Sequence, residues 1–323
     1  MLELVNLSNY RSDNALIDSS ADGLQMFLRQ NHLDGVEMLL YEPWNEAMHP
    51  AGFIHGVHLR FWANWLDFWL GNQLELKTQF ESQAALKAYY GGVTRQEWLE
   101  VYRQNILSAL ETKPKYLVFH ISQARPKELF SWQFHYESEC VIANVIQVLN
   151  ELVDSIPADV TLLLENLWWP GLTLCDKALV GKLMREVNHP NLGIMLDTGH
   201  LMNTNQQLRT EREGIAYILH SIESLGEDKK WIRGIHLHHS LSGDYVGKMR
   251  GNPTARELSP GMIMEHVLKI DQHLPFSVPE AQEIIQAVQP EYLVHEFMQV
   301  SKADWQMKLN TQRHALGKFL IKG

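Results

Sequence analysis

At 323 residues, the chain is long enough for one large α/β barrel or two ordinary domains. Hydrophobic residues make up 45% and charged residues 20%, which excludes wholesale disorder. The formal net charge of -10 disfavours nucleic acid as a general partner, because neutralising phosphates needs a positive field. Cys140 and Cys175 stand far apart in no CxxC arrangement, so a disulfide framework is not expected and a reducing compartment is. The first residues, Met1-Leu-Glu-Leu-Val-Asn, lack the basic and long apolar regions of a secretory signal, and no apolar run approaches ~20 residues. The expected location is cytoplasmic.

Eight short apolar runs alternate with helical patterns. The first, Leu2 to Leu7, precedes a predicted helix from Leu16 to Arg29 with Leu24, Phe27 and Leu28 on one face. Gly35 to Tyr41 and Phe53 to Phe61 are the second and third. An irregular, aromatic-rich insertion, 62–92, separates the third from a helix over Thr94 to Leu110, where Thr94 and Glu97 are spaced as a capping box. Tyr116 to Ser122 is the fourth strand and Glu137 to Val153 a helix with Val141, Val145, Val148 and Leu152 at helical spacing. The fifth strand, Thr161 to Leu167, is followed by a helix over Asp176 to Glu186. Leu192 to Asp197 is the sixth, then a helix near Gln207 to Leu225, and Trp231 to His238 the seventh. A helix over Glu280 to Val288, an eighth strand at Tyr292 to Phe297 and a polar helix from Ala303 to Leu320 complete the pattern.

Strands alternating with helices pair in parallel through right-handed crossovers. A doubly wound open sheet would carry a Gly-rich loop after its first strand, but Ser8-Asn-Tyr-Arg-Ser-Asp13 has no glycine there. The fold class expected is therefore α/β, a single (β/α)8 TIM barrel spanning residues 1–323, with 62–92 inserted after strand three.

Barrels of this kind place their active sites at the C-terminal ends of the strands. Polar residues gather there: His58, His120, Glu165-Asn166, Asp197, His236 with His238, and Glu296. Period-two alternation turns Gly234, His236 and His238 inward, opposite Ile235 and Leu237, and likewise Val118 and His120 opposite Leu117 and Phe119. Any one such residue is readily structural; Asp197, for example, is placed to cap a following helix. Several carboxylates and imidazoles converging on one rim suit a divalent transition metal, because each buried charge otherwise needs its own partner.

Leu163-Leu-Glu-Asn166, Leu196-Asp-Thr-Gly-His200, His236-Leu-His-His-Ser240 and Leu293-Val-His-Glu296, in that order, resemble the motifs of the xylose isomerase-like barrels, which include sugar isomerases, epimerases and endonuclease IV-type nucleases. The resemblance implies a metal site of Glu165, Asp197, His236 and Glu296, with His238 as the alternative to His236. It also implies a second metal on His58 and His120, and a substrate or further-metal contact at His200. The nuclease branch adds an Asp-x-His pair after strand seven, and the segment Ser242 to Gly251, with Asp244 followed by Val246, lacks it. The leading expectation is therefore a metal-dependent sugar, sugar-phosphate or cyclitol isomerase or epimerase acting through an enediolate, with Glu165 and Glu296 as acid/base pair. Manganese or zinc is preferred over magnesium or cobalt. A di- or trinuclear phosphodiesterase is the alternative, and a non-catalytic metal- or sugar-binding barrel a second one. The expected partner is a small sugar-like molecule, with no membrane and with homo-oligomerisation left open. Trp62 or Trp69, with Trp168 or Trp169, would form a stacking wall, and Arg60, Lys248 and Arg250 would face an anionic substituent.

Overall fold

The computed structural model describes residues 1–250 and 259–317. Eight parallel strands close a barrel in sequence order: β1 Leu2–Ser8, β2 Gly35–Leu39, β3 Ile54–His58, β4 Tyr116–His120, β5 Thr161–Glu165, β6 Leu192–Asp197, β7 Ile232–Leu237 and β8 Tyr292–His295. The α/β barrel expected from the alternation is thus the fold observed. Among the described residues no helix is long and apolar enough to cross a membrane.

The alternation along each strand divides two cores. Leu117, Phe119, Leu162, Leu164, Ile235 and Leu237 point outward into the layer between strands and helices. Leu4, Tyr116, Val118, Leu163, Met195, Tyr292 and Val294 fill the barrel interior. Side chains on alternate residues of a strand face opposite ways, so His120, Glu165, Asp197 and His236 share the inward face with that interior cluster. Strand register then sets them side by side, His120 against Glu165 and Asp197 against His236. The apolar interior forms a floor, and the polar residues lie one layer nearer the C-terminal mouth.

Several element boundaries differ from the sequence expectation. The helix expected from Leu16 starts at Ala21, because Asp18 and Ser19 take positive φ and the Ser20 side chain accepts from Gly23 N as its cap. The helix expected near Gln207 to Leu225 runs Glu211–Ser224, opened by a Thr210–Glu213 capping box, and a short helix, Thr198–Asn203, precedes it. The capping box at Thr94 is present as expected. In the long β7–β8 connection the helix expected over Glu280 to Val288 is present as Gln282–Val288, and Gly243–Met249 and Pro260–Ile270 are additional helices not expected from the sequence. The last helix runs Lys302–Leu316; Leu320, its expected end, lies outside the described residues.

The aromatic-rich insertion holds three short helices, Leu66–Leu70, Gln73–Gln79 and Gln83–Tyr90. Phe68 stacks on Tyr90 at 4.1 Å between ring centroids, and both pack on Trp98 of the helix Arg95–Glu111. The buried Asp67 anchors the insertion by accepting a bidentate pair from Arg125, with Nε and Nη2 both at 2.8 Å. Paired donors of this geometry are what allow a carboxylate to be buried there.

Candidate metal centre

At the mouth, Glu165 is the hub. Its Oε2 lies 3.0 Å from His58 Nε2, and its Oε1 lies 3.2 Å from His120 Nε2, 3.3 Å from His200 Nδ1 and 3.4 Å from His236 Nδ1. Burial alone would raise the Glu165 carboxyl, but the His120 and His236 imidazoles hold it well below the ordinary carboxylate range.

Asp197 has two duties. One oxygen caps the helix Thr198–Asn203 by accepting from His200 N at 2.6 Å, and the other lies 2.9 Å from His238 Nε2. The helix cap and the contact with His238 therefore coexist in one side chain. Asn166 holds the strand end that presents it, accepting from Asp197 N at 2.8 Å and donating to Asp197 O at 2.9 Å.

A further pair comes from the β7–β8 connection. Asp271 Oδ2 lies 3.1 Å from His200 Nε2 and 3.4 Å from His273 Nε2, and the His273 ring stacks on His238 at 4.3 Å. This Asp271-Gln272-His273 run has the Asp-x-His spacing that the sequence reading sought in Ser242 to Gly251 and did not find there. Helical segments stand between β7 and this run. Asp244 is a surface residue that pairs with Arg209 at 3.4 Å.

Among the described residues, four overlapping groups could each hold a metal ion: His58, His120 and Glu165; Glu165, Asp197 and His236; Asp197, His200 and His238; and His238, Asp271 and His273, with the ligand atoms of each within 4.8 Å of one another. Glu296 Oε2 adjoins them, 3.2 Å from His236 Nδ1 and 3.8 Å from His238 Nε2. The donor set of imidazoles and carboxylates suits zinc or manganese. A second observation agrees: Nδ1 of His236 and Oε2 of Glu296 are buried with no hydrogen-bond partner. Buried polar atoms are normally satisfied, and a cation would satisfy both.

Burial would lower the His200 and His236 imidazoles, yet surrounding carboxylates raise both well above the ordinary range. His273, also opposed by burial, is raised to about 9, chiefly by Asp271, and burial of Asp271 is outweighed by His273 and His200, which take it to about 2. The centre opens on one side: Glu165, Asp197, His236 and His238 are at most 1% exposed, whereas His58, His120, His273 and Glu296 are 12–16% exposed.

The structure thus brings together His58, His120, Glu165, Asp197, His200, His236, His238 and Glu296. It does not bring in Trp62, which is buried in the insertion, donating from Nε1 to Tyr89 O with Trp98 and Tyr102 against its ring. Trp69 is likewise core. Trp168 does reach the centre, 5.0 Å from the His200 ring, with Trp169 beside it. Lys248 and Arg250 are exposed on and after the helix Gly243–Met249; the helix turns both to solvent, and neither bonds to a residue of the centre among the described residues. Arg60 lies over Trp62. Phe61 stands 4.6 Å from His120. Asp271, His273, Phe61 and the buried Glu37 of β2 are the residues the sequence left unassigned.

Three solved structures illustrate the likeness: L-ribulose 3-epimerase (13% identity, TM-score 0.53, covering 97% of this chain and 94% of that one); the IOLI protein with a binding zinc atom (13%, 0.52, 100% of both); and endonuclease IV from Thermus thermophilus (12%, 0.51, 98% and 99%). At such identities the likeness is one of fold. Among curated proteins, no sequence matches. The family described as xylose isomerase-like TIM barrel matches residues 94–289, which carry most of the centre, and the chain belongs to that family.

Proposed function

We propose that this chain is a metal-dependent hydrolase of a compact phosphate ester, with a centre for more than one ion. The observation that carries this is the Asp271–His273 pair set against His200 and His238, beside groups that share Glu165. His58, His120 and Glu165 would hold one ion; Glu165, Asp197, His236 and Glu296 a second; His238, Asp271 and His273, with His200 adjacent, a third. Cations bound there supply Lewis acidity to a phosphoryl oxygen and lower the pKa of water.

The chain's own residues divide the remaining work. Glu165, with four imidazole nitrogens within 3.4 Å, is a holding carboxylate. Glu296 has an oxygen without a hydrogen bond and partial access to the mouth, so it is the group that takes a proton from the attacking water or returns one to the leaving oxygen. Trp168, against the His200 ring, would shield that side from water, and Phe61 would do the same beside His120. The net charge of -10 and the outward placement of Lys248 and Arg250 support a small phosphate ester over duplex DNA.

A second reading, the sugar isomerase or epimerase, is favoured by the pair Glu165 and Glu296, each within 3.4 Å of His236 Nδ1. Two such carboxylates could remove a proton beside a carbonyl and return it. Titration of metal-free protein with zinc and with manganese separates the two. We expect two or three equivalents bound and turnover of bis(p-nitrophenyl) phosphate or p-nitrophenyl phosphate. One tight equivalent, with epimerisation of a ketose and no phosphatase activity, would overturn the hydrolase in favour of the isomerase.

A further inference from the structure

We infer that Glu37, steadied by Tyr116 through a gap left at Gly56, is a positioning residue that keeps the His236 proton on Nε2 and so offers Nδ1 to the centre. The inference rests on the metal-centre reading above.

Glu37 stands alone as a charge in the run Gly35-Val-Glu-Met-Leu39. Val36 and Met38 join the outer core, so period-two geometry turns Glu37 into the barrel, where it is 3% exposed. A carboxylate buried this deeply is strongly destabilising unless its lone pairs are met. Both partners are present. Tyr116 donates its hydroxyl to Oε2 at 2.8 Å, and His236 Nε2 lies 2.9 Å from Oε1 and 3.1 Å from Oε2.

The route from Tyr116 to Glu37 crosses β3. In register, Glu37 lies beside Gly56 and Gly56 beside Tyr116, so the phenol must pass over position 56 to reach the carboxylate. A Cβ at Gly56 would stand 2.1 Å from Tyr116 Cζ and 2.5 Å from its hydroxyl oxygen. Only glycine leaves room for the ring.

The consequence falls on His236. A carboxylate can only accept, so the nitrogen facing Glu37 carries a proton, and a cation among the carboxylates on the other side would meet the lone pair of Nδ1. That other nitrogen, Nδ1, has no hydrogen bond and lies 3.2 Å from Glu296 Oε2, 3.4 Å from Glu165 Oε1 and 3.8 Å from Asp197 Oδ2. Glu37 is not itself a ligand in this arrangement. The imidazole separates it from those three carboxylates, and both of its oxygens are engaged. Outer carboxylates of this kind fix ring orientation and raise ligand basicity.

The experiment uses the full chain stripped of metal and titrated with zinc alone against a competing chelator, with nitrogen-15 histidine spectra of the zinc-loaded protein. The wild type should show His236 protonated on Nε2 and bound to zinc through Nδ1, the signal being assigned by its loss in His236→Ala. Glu37→Leu, which removes the acceptor, should weaken one zinc equivalent by roughly 10–100-fold. Glu37→Gln, which keeps an acceptor oxygen, should restore most of that affinity and the Nε2 proton, a rescue that a purely packing role would not distinguish from leucine. Tyr116→Phe should give a smaller loss in the same direction, and it decides the matter if the leucine variant does not fold. Zinc bound through His236 Nε2, or wild-type affinity in the Phe variant together with any Leu variant that folds, overturns the inference and leaves the metal centre standing. A wild type that takes up no zinc overturns both.

Discussion

His200 Nε2 lies 3.1 Å from Asp271 Oδ2, joining the helix after β6 to a connection that only returns to the barrel at β8. Across this contact the third group of ligands meets the first two, so it decides what the centre can be. Asp271→Ala should cost one equivalent of zinc while leaving the equivalents at Glu165 in place, read by metal analysis after dialysis. Retention of the full complement would remove Asp271 from the ligand set.

Glu296 has been given a proton-transfer role as well as a metal contact, and its amide variant separates them. Glu296→Gln should lower kcat for phosphate ester cleavage by about 10²–10⁴-fold with zinc content preserved. Loss of zinc in proportion to loss of rate would leave it a ligand and nothing more.

Removing metal should destabilise the fold. Five carboxylates, Glu37, Glu165, Asp197, Asp271 and Glu296, converge with six imidazoles, His58, His120, His200, His236, His238 and His273, in one buried region. A ligand that binds only the folded state at a hundred times its Kd adds about 2.7 kcal/mol. Thermal unfolding with and without a chelator should show a Tm that falls on chelation and recovers with added zinc; identical curves would count against a metal centre.

The buried pair Asp67–Arg125 should set part of the acid stability. Burial would raise the Asp67 carboxyl, but hydrogen bonds from Arg125, Gln79 and Tyr136 bring it below its ordinary 3.8. Because the folded value is the lower one, the pair's contribution is complete above about pH 4 and is lost as pH falls through the folded value. Arg125→Ala leaves the carboxylate buried without its main partner and should cost about 3–5 kcal/mol at pH 7. The deficit should shrink below pH 3 in urea titrations, whereas a deficit independent of pH would mean that the loss is one of packing.

Much of the barrel was legible because burial on two faces imposes a period of two. The bounds of β6, Leu192–Asp197, follow from the apolar run and the carboxylate that ends it. The inward facing of His120 and His236 follows from their parity with Val118 and Gly234. Trp62 shows the limit of that logic: an indole next to a site strand looks the same in sequence whether it faces a ligand or the Trp98 ring. Glu37 was passed over for a related reason, since a lone glutamate in an apolar strand does not announce which partners meet it.

Strand periodicity and chain order are local properties, and they were enough to specify the closed barrel and the rim on which Glu165, Asp197, His236 and Glu296 gather. The arrival of Asp271 and His273 at that rim, and the place of Glu37 behind His236, came only with the folded chain. Those contacts span 71 residues from His200 to Asp271 and 199 from Glu37 to His236. No local period encodes them; closing the barrel brings the residues together.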